Sequence, residues 1–470
     1  MSVLLTRPAT DLVRLIAAGE VSAHDLVRAH LDRIACAAPL RAFVDVRVEP
    51  ALAEARRQDD RAAHGEPRGV LGGLPVTVKS AIEVTGLRCE AGSPARAGQL
   101  AAADAVVVAR LRAAGAIVLG TTNVAEMLMA YESENPLHGR TLNPWDHSRT
   151  PGGSSGGEAA AIAAGCSAAG IGSDGGGSIR VPAHFTGICG LKPTPGRIPT
   201  TGHQPACLGP FSLLGVVGPM ARTIADLQAL DTVLAGWDNH DPMAAPVTER
   251  TAVIAPSDLR VAFFEDDGVH PVTPETRMAV RAAAAAAEGA GFIVEEYRPP
   301  VLARSGALWD VFFAQVGLLV LNDLMHGAER ELPILKAYRE QDAGGPPSFR
   351  ALTQAWIDRD LARAELQDEM AVRRILICPV AAVPAFRHGE RDWEIGGRRV
   401  GYLEAMRYTQ WFNILGNPAA VVPVMRTAGG LPVGVQVVGR PFDDRLVLEV
   451  AAAIERTVGG YTPPPGFAGA

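Results

Sequence analysis

The sequence predicts an α/β fold in one large domain. Short apolar runs that are typical of strands alternate with amphipathic runs that are typical of helices from about residue 70 onward. The strand-like runs are short and rich in alanine, so they can pair in mixed directions. The chain has 470 residues and no segment that resembles a flexible linker. One domain with a less regular insertion is therefore favoured over several small domains.

The first 65 residues are predicted to be helical. Leu12–Ala18 is predicted to form a short helix. Ser22, with Asp25 three residues further on, has the pattern of a helix start, and this second helix ends near Ala35. The charged stretch Pro50–His64 predicts a third helix on the surface.

The remaining elements follow in three stretches. Residues 66–240 contain strands in LPVTV, AIVLG, SAAGIG and TGICGL, and helices over Asp104–Ala114, Glu158–Ala164 and Arg222–Ala235. Residues 241–400 contain strands in LRVAFFED and GFIVEEY, a helix over Thr276–Ala287, and then helices interrupted by AGGPPS at 343–348. Residues 401–470 contain a helix over Tyr402–Phe412, strands in AAVVPV and LPVGVQVVG, and a helix over Asp444–Glu455.

Composition and charge indicate a soluble globular enzyme. Hydrophobic residues make up 48% of the chain and charged residues 20%, and 44 basic against 51 acidic residues give a net charge of -7. No basic cluster is present, which argues against nucleic acid as a partner. No signal peptide and no uninterrupted apolar stretch of about 18 residues is visible, so we expect no membrane partner.

The cysteines predict a reducing compartment. All six, at positions 36, 89, 166, 189, 207 and 378, lie outside CxxC pairs, and most lie among small or apolar residues. Buried free thiols in the cytoplasm are the expected state. No histidine has metal-ligand spacing with a second ligand, and no metal or organic cofactor is expected.

Two serines in glycine-rich turns, 24 residues apart, are candidate nucleophiles. Ser178 follows Gly175, Gly176 and Gly177, and such a turn can present several backbone N–H groups to one point. A nucleophile at this position would have an oxyanion hole beside it. A glycine turn used only for tight packing is the alternative.

Ser154 lies in PGGSSGG, directly before a predicted helix. The segment also matches the G-x-S-x-G elbow of α/β-hydrolases, which needs a strand directly before the serine. The preceding residues, 147–151, do not have a strand pattern, so the match to the elbow is weak.

Lys79 ends the strand-like run GLPVTVK. An exposed lysine at a strand end would have no chemical role. A buried lysine would differ, because loss of water lowers the pKa of the ammonium and leaves an amine that can accept a proton. A serine nucleophile can be activated without histidine by a second serine and a lysine, and the chain offers this set in Ser178, Ser154 and Lys79.

Several ordered motifs resemble the amidase signature family. They are GLPVTVK, DAVVVARLRAAGAIVLGTTN, the NPW turn, GGSSGGE, SDGGGSIRVPAHFTGICGLKPTPGR, GPMARTIADL with AGWDNHDP, FNILGNPAAVVPV and GLPVGVQVVGRPFDD. They cover roughly residues 65–245 and 405–457. The resemblance implies one domain over residues 1–470, with a central twisted mixed β-sheet flanked by helices on both sides. Within it, a helical segment (1–65) precedes the catalytic core (66–240), a partly helical insertion (241–400) forms the substrate pocket, and residues 401–470 complete the core.

The resemblance also implies the roles of individual residues. Ser178 would be the nucleophile, Ser154 a serine with a cis peptide bond, and Lys79 the base that takes a proton through Ser154. The oxyanion donors would be the amides of Gly175, Gly176, Gly177 and Ser178. The supporting hydrogen-bond shell would consist of Ser155, Ser173, Asp174 and Arg180.

The chain departs from the usual family pattern at four positions. Ser80 stands where aspartate is usual, Thr121 where lysine is frequent, and Ser173 where threonine is usual. Gly175 replaces a β-branched or other apolar residue of the oxyanion loop. None of these changes removes a catalytic atom.

The predicted activity is hydrolysis of a carbon–nitrogen bond in a small or aryl-bearing, uncharged amide, with esters and carbamates (urethanes) within reach of the same chemistry. The acyl pocket is expected between the segment 127–131, the loop 198–211 and the aromatic residues near 309–313. The predicted lining residues are Met127, Met129, Tyr131, Trp309, Phe312 and Phe313.

The alternatives are a glutamine-hydrolysing component of a tRNA-dependent amidotransferase complex and a catalytically idle binding subunit. The partner of a stand-alone enzyme would be a small amide, ester or carbamate, and the chain itself could form a homodimer. Four histidines flank the motifs and are interpreted as structural or pocket-lining: His138, His147, His184 and His203.

Overall fold

The computed structural model describes residues 2–209, 211–246, 254–325 and 347–468. Its strands are β1 Phe43–Val46, β2 Pro75–Lys79, β3 Ile117–Thr122, β4 Glu134–Asn135, β5 Gly139–Arg140, β6 Ala169–Asp174, β7 Cys189–Lys192, β8 Val216–Ala221, β9 Arg260–Phe263, β10 Ile293–Glu296, β11 Ile375–Pro379, β12 Asp392–Ile395, β13 Arg398–Gly401, β14 Ala419–Arg426 and β15 Pro432–Val438.

The α-helices are α1 Ala9–Ala17, α2 Ala23–Cys36, α3 Val48–Ala63, α4 Val106–Ala113, α5 Gly156–Ala163, α6 Arg180–Thr186, α7 Phe211–Leu214, α8 Ile224–Leu234, α9 Pro274–Gly289, α10 Leu302–Trp309, α11 Val316–Leu324, α12 Phe349–Val372, α13 Tyr402–Ala405, α14 Arg407–Ile414 and α15 Asp444–Val458. A π-helical stretch, Asp310–Gln315, joins α10 to α11. At the start of α2, the Ser22 side chain accepts a hydrogen bond from the Asp25 amide at 2.9 Å, which confirms the predicted helix start.

A single mixed sheet of eleven strands organises the described residues, in the order β1-β3-β2-β6-β8-β7-β14-β15-β11-β9-β10. Strands β3, β2 and β6 are parallel neighbours, whereas β8, β7, β14 and β15 pair in antiparallel fashion. Parallel strands end at the same edge of a sheet. The carboxyl ends of β2 and β6 therefore lie side by side, and they carry Lys79 and Asp174.

Two hydrophobic cores lie on opposite faces of this sheet. Val421 belongs to one and its neighbour Val422 to the other, as the alternation of side chains along a strand requires. Helices α8, α9 and α15 supply residues to the first core, and α6, α12 and α14 to the second. Helices thus flank a mixed sheet on both sides, and the predicted fold class is confirmed.

Two expectations about the fold are corrected. The first 65 residues are not all helical, because β1 pairs antiparallel with β3, with Phe43 opposite Thr122. A four-residue strand at a sheet edge has too little periodicity to be distinguished from a loop or helix end. The segment predicted as one helix over Tyr402–Phe412 is two helices, α13 and α14, which meet at Met406.

The stretch 241–400 contributes to the main sheet. Strands β9, β10 and β11 continue it beyond β15, with β9 parallel to both of its neighbours. Strand β11 was not predicted, nor were β8, the hairpin β12–β13 and the full length of α12. The described strands of this stretch are therefore part of the main sheet rather than attached to it. The predicted interruption at 343–348 lies mostly outside the described residues.

One helical stretch of the described residues, Leu302–Leu321, is long and apolar enough to cross a membrane, a test that core helices of folded proteins also pass. Trp309 and Phe312 within it are buried in the second core.

Candidate active site

The three candidate catalytic residues come from neighbouring elements at one edge of the sheet. Lys79 is the last residue of β2, and Ser154 lies in the loop before α5. The peptide bond between Gly153 and Ser154 is cis. Ser178 lies in the turn between β6 and α6, and the Ser155 amide donates to the carbonyl oxygen of Ser178 at 3.1 Å. This backbone contact joins the two serine-containing loops.

The Lys79 side chain is completely buried and has three oxygen partners. Its Nζ lies 2.7 Å from Ser154 Oγ, 3.0 Å from Ser173 Oγ and 3.3 Å from the Ser173 carbonyl oxygen. Burial lowers the pKa of Lys79 from 10.5 to about 7, although Asp174, and the ionised forms of Cys207 and Glu158, act to raise it. A substantial fraction of this amine is uncharged at neutral pH, and its lone pair can accept a proton.

Glu158 is a buried carboxyl group close enough to Lys79 for their charges to interact. It is hydrogen-bonded by the hydroxyl groups of Thr77 and Thr122. Burial raises the pKa of Glu158 to about 8, with the two hydroxyl groups and Lys79 acting in the opposite direction. An uncharged amine and a protonated carboxyl group avoid the cost of burying two ions.

The turn that carries Ser178 is held by the Asp174 carboxylate. Its oxygens accept hydrogen bonds from the amides of Gly177 at 2.7 Å and Ile179 at 3.1 Å, and from Asn413 Nδ2 at 3.0 Å. They also form a fully buried ion pair with Arg180 at 3.0 Å. Although burial acts to raise it, Arg180 and the amide donors hold the pKa of Asp174 well below its usual range.

The predicted oxyanion donors need one correction. The Gly177 N–H is already bound by Asp174, so Gly177 is not a donor to substrate. Its φ of 130° and the clash of an added Cβ with Thr409 Oγ1, at 2.4 Å, show why glycine is needed there. Within the described part of the chain, the amides of Gly175, Gly176 and Ser178 have no intramolecular acceptor.

Side chains from distant segments fix the carbonyl groups of the same turn. The Gly176 oxygen accepts from Tyr131 Oη at 2.9 Å and from Thr409 Oγ1 at 2.7 Å. The Gly175 oxygen accepts from Trp309 Nε1 at 3.3 Å. Because C=O and N–H point in opposite directions across a trans peptide, the indole also orients the Gly176 N–H.

The remaining shell residues predicted from the sequence lie next to the site. Ser155 Oγ donates to the Ser173 carbonyl oxygen at 3.2 Å. Arg180, besides its pair with Asp174, donates to Gln436 Oε1 at 3.0 Å. The sequence did not indicate Gln436, Asn413 or Thr409, which reach the site from the C-terminal part of the chain.

A cavity opens beside Ser154 and Ser178. Ser178 itself is 8% exposed. The cavity is lined by Met127, Leu128, Met129, Ser154, Ser173, Asp174, Gly175, Ser178, His203, Pro205, Cys207, Phe211, Gly215, Val216, Phe313 and Leu321. Most of its surface is apolar, and the Phe211 and Phe313 rings meet edge to face with centroids 6.3 Å apart.

The predicted pocket residues separate into three groups. Met127, Met129 and Phe313 line the main cavity. Tyr131 and Trp309 line only a second, smaller recess that also reaches Ser178, and there Trp309 stacks on Phe313 with ring centroids 4.3 Å apart. Phe312 lines neither space.

The prediction for Phe312 is wrong. Its ring is 0% exposed and packs edge to face against Trp356 in the second core. Neighbouring residues on a helical segment point in different directions, so Phe312 and Phe313 could not both face the cavity.

The interpretation of His203 as structural or pocket-lining agrees with its position in the cavity wall, whereas the sequence analysis gave no site role to Cys207, which also lines the cavity. His203 Nε2 lies 2.8 Å from Ser173 Oγ, which in turn lies 3.0 Å from Lys79 Nζ. His184 is buried and bonded to the Val383 oxygen and the Gly434 amide, in agreement with a structural role. No group of three His, Cys, Asp or Glu side chains within the described ranges is arranged to hold a metal ion.

Comparison with known proteins places this geometry in a family. The Amidase family model matches residues 25–448. The chain is 34% identical to a glutamyl-tRNA(Gln) amidotransferase subunit of Chloroflexus aurantiacus, over 96% of each chain. It is also 34% identical to the indoleacetamide hydrolase of Bradyrhizobium diazoefficiens, over 96% of this chain and 86% of the relative.

A solved structure agrees in fold. A bacterial aryl acylamidase of the amidase signature family superposes with a TM-score of 0.85 at 26% identity, and the match covers 98% of each chain. The chain therefore belongs to the amidase signature family, whose enzymes hydrolyse carbon–nitrogen bonds.

Proposed function

We propose that this chain is an amidase that hydrolyses uncharged amides with an apolar or aryl-bearing acyl group, with Ser178 as the nucleophile. The observation that carries the proposal is the buried Lys79 amine, bonded to Ser154 at the wall of an apolar cavity that also exposes Ser178. A lysine that loses its charge at neutral pH can act as a general base, which a solvated lysine does poorly.

The proposed reaction begins when Lys79 takes the hydroxyl proton of Ser154, which in turn takes the proton of Ser178. The Ser178 oxygen attacks the amide carbon and forms a tetrahedral oxyanion. The amides of Gly175, Gly176 and Ser178 are the proposed donors to this oxyanion, and one such donor contributes roughly 3 kcal/mol to the transition state.

The same relay, run in reverse, delivers a proton to the leaving nitrogen as the carbon–nitrogen bond breaks. Water then enters, gives a proton to the relay and attacks the acyl carbon; the bond to Ser178 breaks, and the relay returns the proton to the Ser178 oxygen. Esters and carbamates fit the same sequence of steps, since each presents a carbonyl carbon and a leaving group that the relay can protonate.

The lining of the cavity supports an uncharged acyl group. Asp174 is paired with Arg180, and burial lowers the pKa of His203 to about 4, so its imidazole is uncharged at neutral pH. The described lining therefore offers no free charge to either the ammonium or the carboxylate of glutamine. The indoleacetamide hydrolase named above has a substrate of the kind that an apolar, aromatic cavity would bind.

A second candidate function is glutamine hydrolysis within a tRNA-dependent amidotransferase complex. It is favoured by the 34% identity to the glutamyl-tRNA(Gln) amidotransferase chain described above, over 96% of each chain. Such a chain would act with partner chains, so the two functions differ in what the isolated chain does.

The test uses the full chain, purified without partners. Wild type should turn over an arylacetamide or an anilide faster than glutamine, and a fluorophosphonate should give a single adduct on Ser178 by peptide mapping. The Ser178→Ala and Lys79→Met variants should give neither turnover nor adduct. Glutamine as the better substrate would favour the amidotransferase function, and an adduct on Ser154 would refute the relay.

The cytoplasmic location and the homodimeric assembly of this chain are also part of the proposal. All six cysteines are free and five are buried, which supports a reducing cytoplasm. Light scattering on the purified chain tests the homodimer considered from the sequence.

A further inference from the structure

His203 lies on a loop that runs beside the segment following Lys79. The Gln204 amide donates to the Ala81 oxygen at 2.7 Å, and the Glu83 amide donates to the Gly202 oxygen at 2.9 Å. These backbone bonds on either side of His203 fix the imidazole behind the lysine. Only 6% of the His203 surface is exposed.

The contacts of His203 determine which ring nitrogen carries the proton. Nδ1 lies 2.8 Å from the Pro205 carbonyl oxygen, and a carbonyl oxygen can only accept. Nδ1 therefore carries the hydrogen, and Nε2 of the neutral ring has a free lone pair. Nε2 lies 2.8 Å from Ser173 Oγ, so the Ser173 hydroxyl donates its hydrogen to His203.

This assignment constrains the lysine. The Ser173 hydroxyl has one hydrogen, and with that hydrogen on His203 its oxygen can only accept from Lys79 Nζ, at 3.0 Å. The Ser173 carbonyl oxygen, at 3.3 Å, can also only accept. An uncharged amine has two hydrogens and one lone pair. Both hydrogens go to Ser173, and the lone pair is left facing Ser154 Oγ at 2.7 Å.

We infer that His203 is a positioning residue for the proposed reaction. Because His203 binds the hydrogen of the Ser173 hydroxyl, the Ser173 oxygen can only accept a hydrogen bond from Lys79. The lone pair of Lys79 is thereby directed at the Ser154 hydroxyl, from which the proton must come. Without His203, the Ser173 hydroxyl can turn its hydrogen toward Nζ and occupy that lone pair. The inference rests on the proposed function, because it assigns a role within the same relay.

The pH dependence distinguishes this role from simple loss of packing. The ionisable groups that face Lys79 are Glu158, Asp174, Cys207 and His203. In His203→Leu, a misdirected Ser173 hydroxyl stabilises the uncharged amine, so the acid limb of kcat against pH stays in place or moves to lower pH. Water entering a damaged site would stabilise the ammonium instead and move that limb to higher pH.

The experiment compares His203→Leu with His203→Gln, whose side-chain oxygen can still accept from Ser173. We expect His203→Leu to lose roughly 10- to 100-fold in kcat on the pH plateau, part of what a general base contributes. KM should change little, and the acid limb should not rise. His203→Gln should retain most of the wild-type kcat.

A double variant gives the sharpest control. Adding Ser173→Ala to His203→Leu removes the hydroxyl that competes for the lone pair, so kcat should rise several-fold above that of His203→Leu alone. If His203 only filled space, the second truncation would lower kcat further. Melting temperatures of all variants check that each one folds.

The failures of the two proposals are distinguishable. A wild type that neither hydrolyses amides nor forms an adduct on Ser178 overturns the proposed function and the inference together. If the wild type is active, three results would overturn the inference and leave the proposed function intact. They are an unchanged kcat in His203→Leu, a shift of the acid limb of His203→Leu to higher pH, and a His203→Gln variant as impaired as His203→Leu.

Discussion

Replacing Lys79 by methionine is expected to abolish hydrolysis and to raise the free energy of unfolding at neutral pH. The lysine is completely buried, and burial lowers its pKa from 10.5 to about 7. In the unfolded chain the same side chain is protonated up to its ordinary pKa. Folding at pH 7 is therefore opposed by the loss of hydration around this amine.

The size of this effect follows from the pKa change. Each pH unit corresponds to about 1.4 kcal/mol, so the change from 10.5 to about 7 costs about 5 kcal/mol at pH 7 and below. Methionine has a similar length and no charge, but Ser154 and Ser173 each lose a hydrogen bond worth about 1 kcal/mol. The net gain at pH 7 should be about 2–3 kcal/mol.

Urea unfolding of wild type and Lys79→Met at several pH values measures the gain. Between pH 7 and 10.5 the unfolded wild type binds more protons than the folded protein, so wild-type stability rises with pH in that window. The advantage of Lys79→Met should therefore be largest near pH 7 and shrink toward pH 10.5. Taking the difference between the two proteins cancels groups that titrate in both.

Lys192→Met is a matched control. Lys192 is also completely buried, and burial lowers its pKa to about 7, but its Nζ donates to the Pro193 oxygen outside the relay. It should show the same direction of stability change while Ser178 still forms the fluorophosphonate adduct. A Lys79→Met protein no more stable than wild type at pH 7, or a gain independent of pH, would refute the uncharged lysine.

Three further predictions follow from the site. Trp309→Phe keeps the aromatic stack but removes the donor to the Gly175 oxygen, so kcat should fall about tenfold with KM little changed. An unchanged kcat would show that the indole N–H does not orient the turn. In urea unfolding, Glu158→Gln should gain stability relative to wild type as pH rises from about 5 to 8, because the raised pKa of the Glu158 carboxyl group makes the wild type lose stability across that range. A difference in unfolding free energy that stays constant with pH would mean that the carboxyl group is already ionised. Asp174→Asn leaves Arg180 without its buried counter-ion and should cost about 3–5 kcal/mol in urea unfolding, where a loss below about 1 kcal/mol would contradict the pairing.

Much of the fold was readable from local pattern. The start of α2 at Ser22, the buried strands that end at Lys79 and Asp174, and the Ala-rich helix α9 each carry their signal within a few residues. The short strands β1 and β11 did not, because their stability depends on pairing with β3 and β15, far away in sequence. Edge and insertion strands of this length are fixed by their neighbours in the sheet.

The residue types of the candidate site are legible in the sequence: two serines in glycine-rich turns and a lysine at a strand end. The burial of Lys79, which enables it to lose its charge, is not legible there, because burial is a property of the assembled sheet and its helices. The tertiary structure likewise committed the Gly177 amide to Asp174 and placed His203 behind Ser173. Hydrogen bonds between segments distant in sequence depend on exact positions in space, which local sequence pattern does not encode.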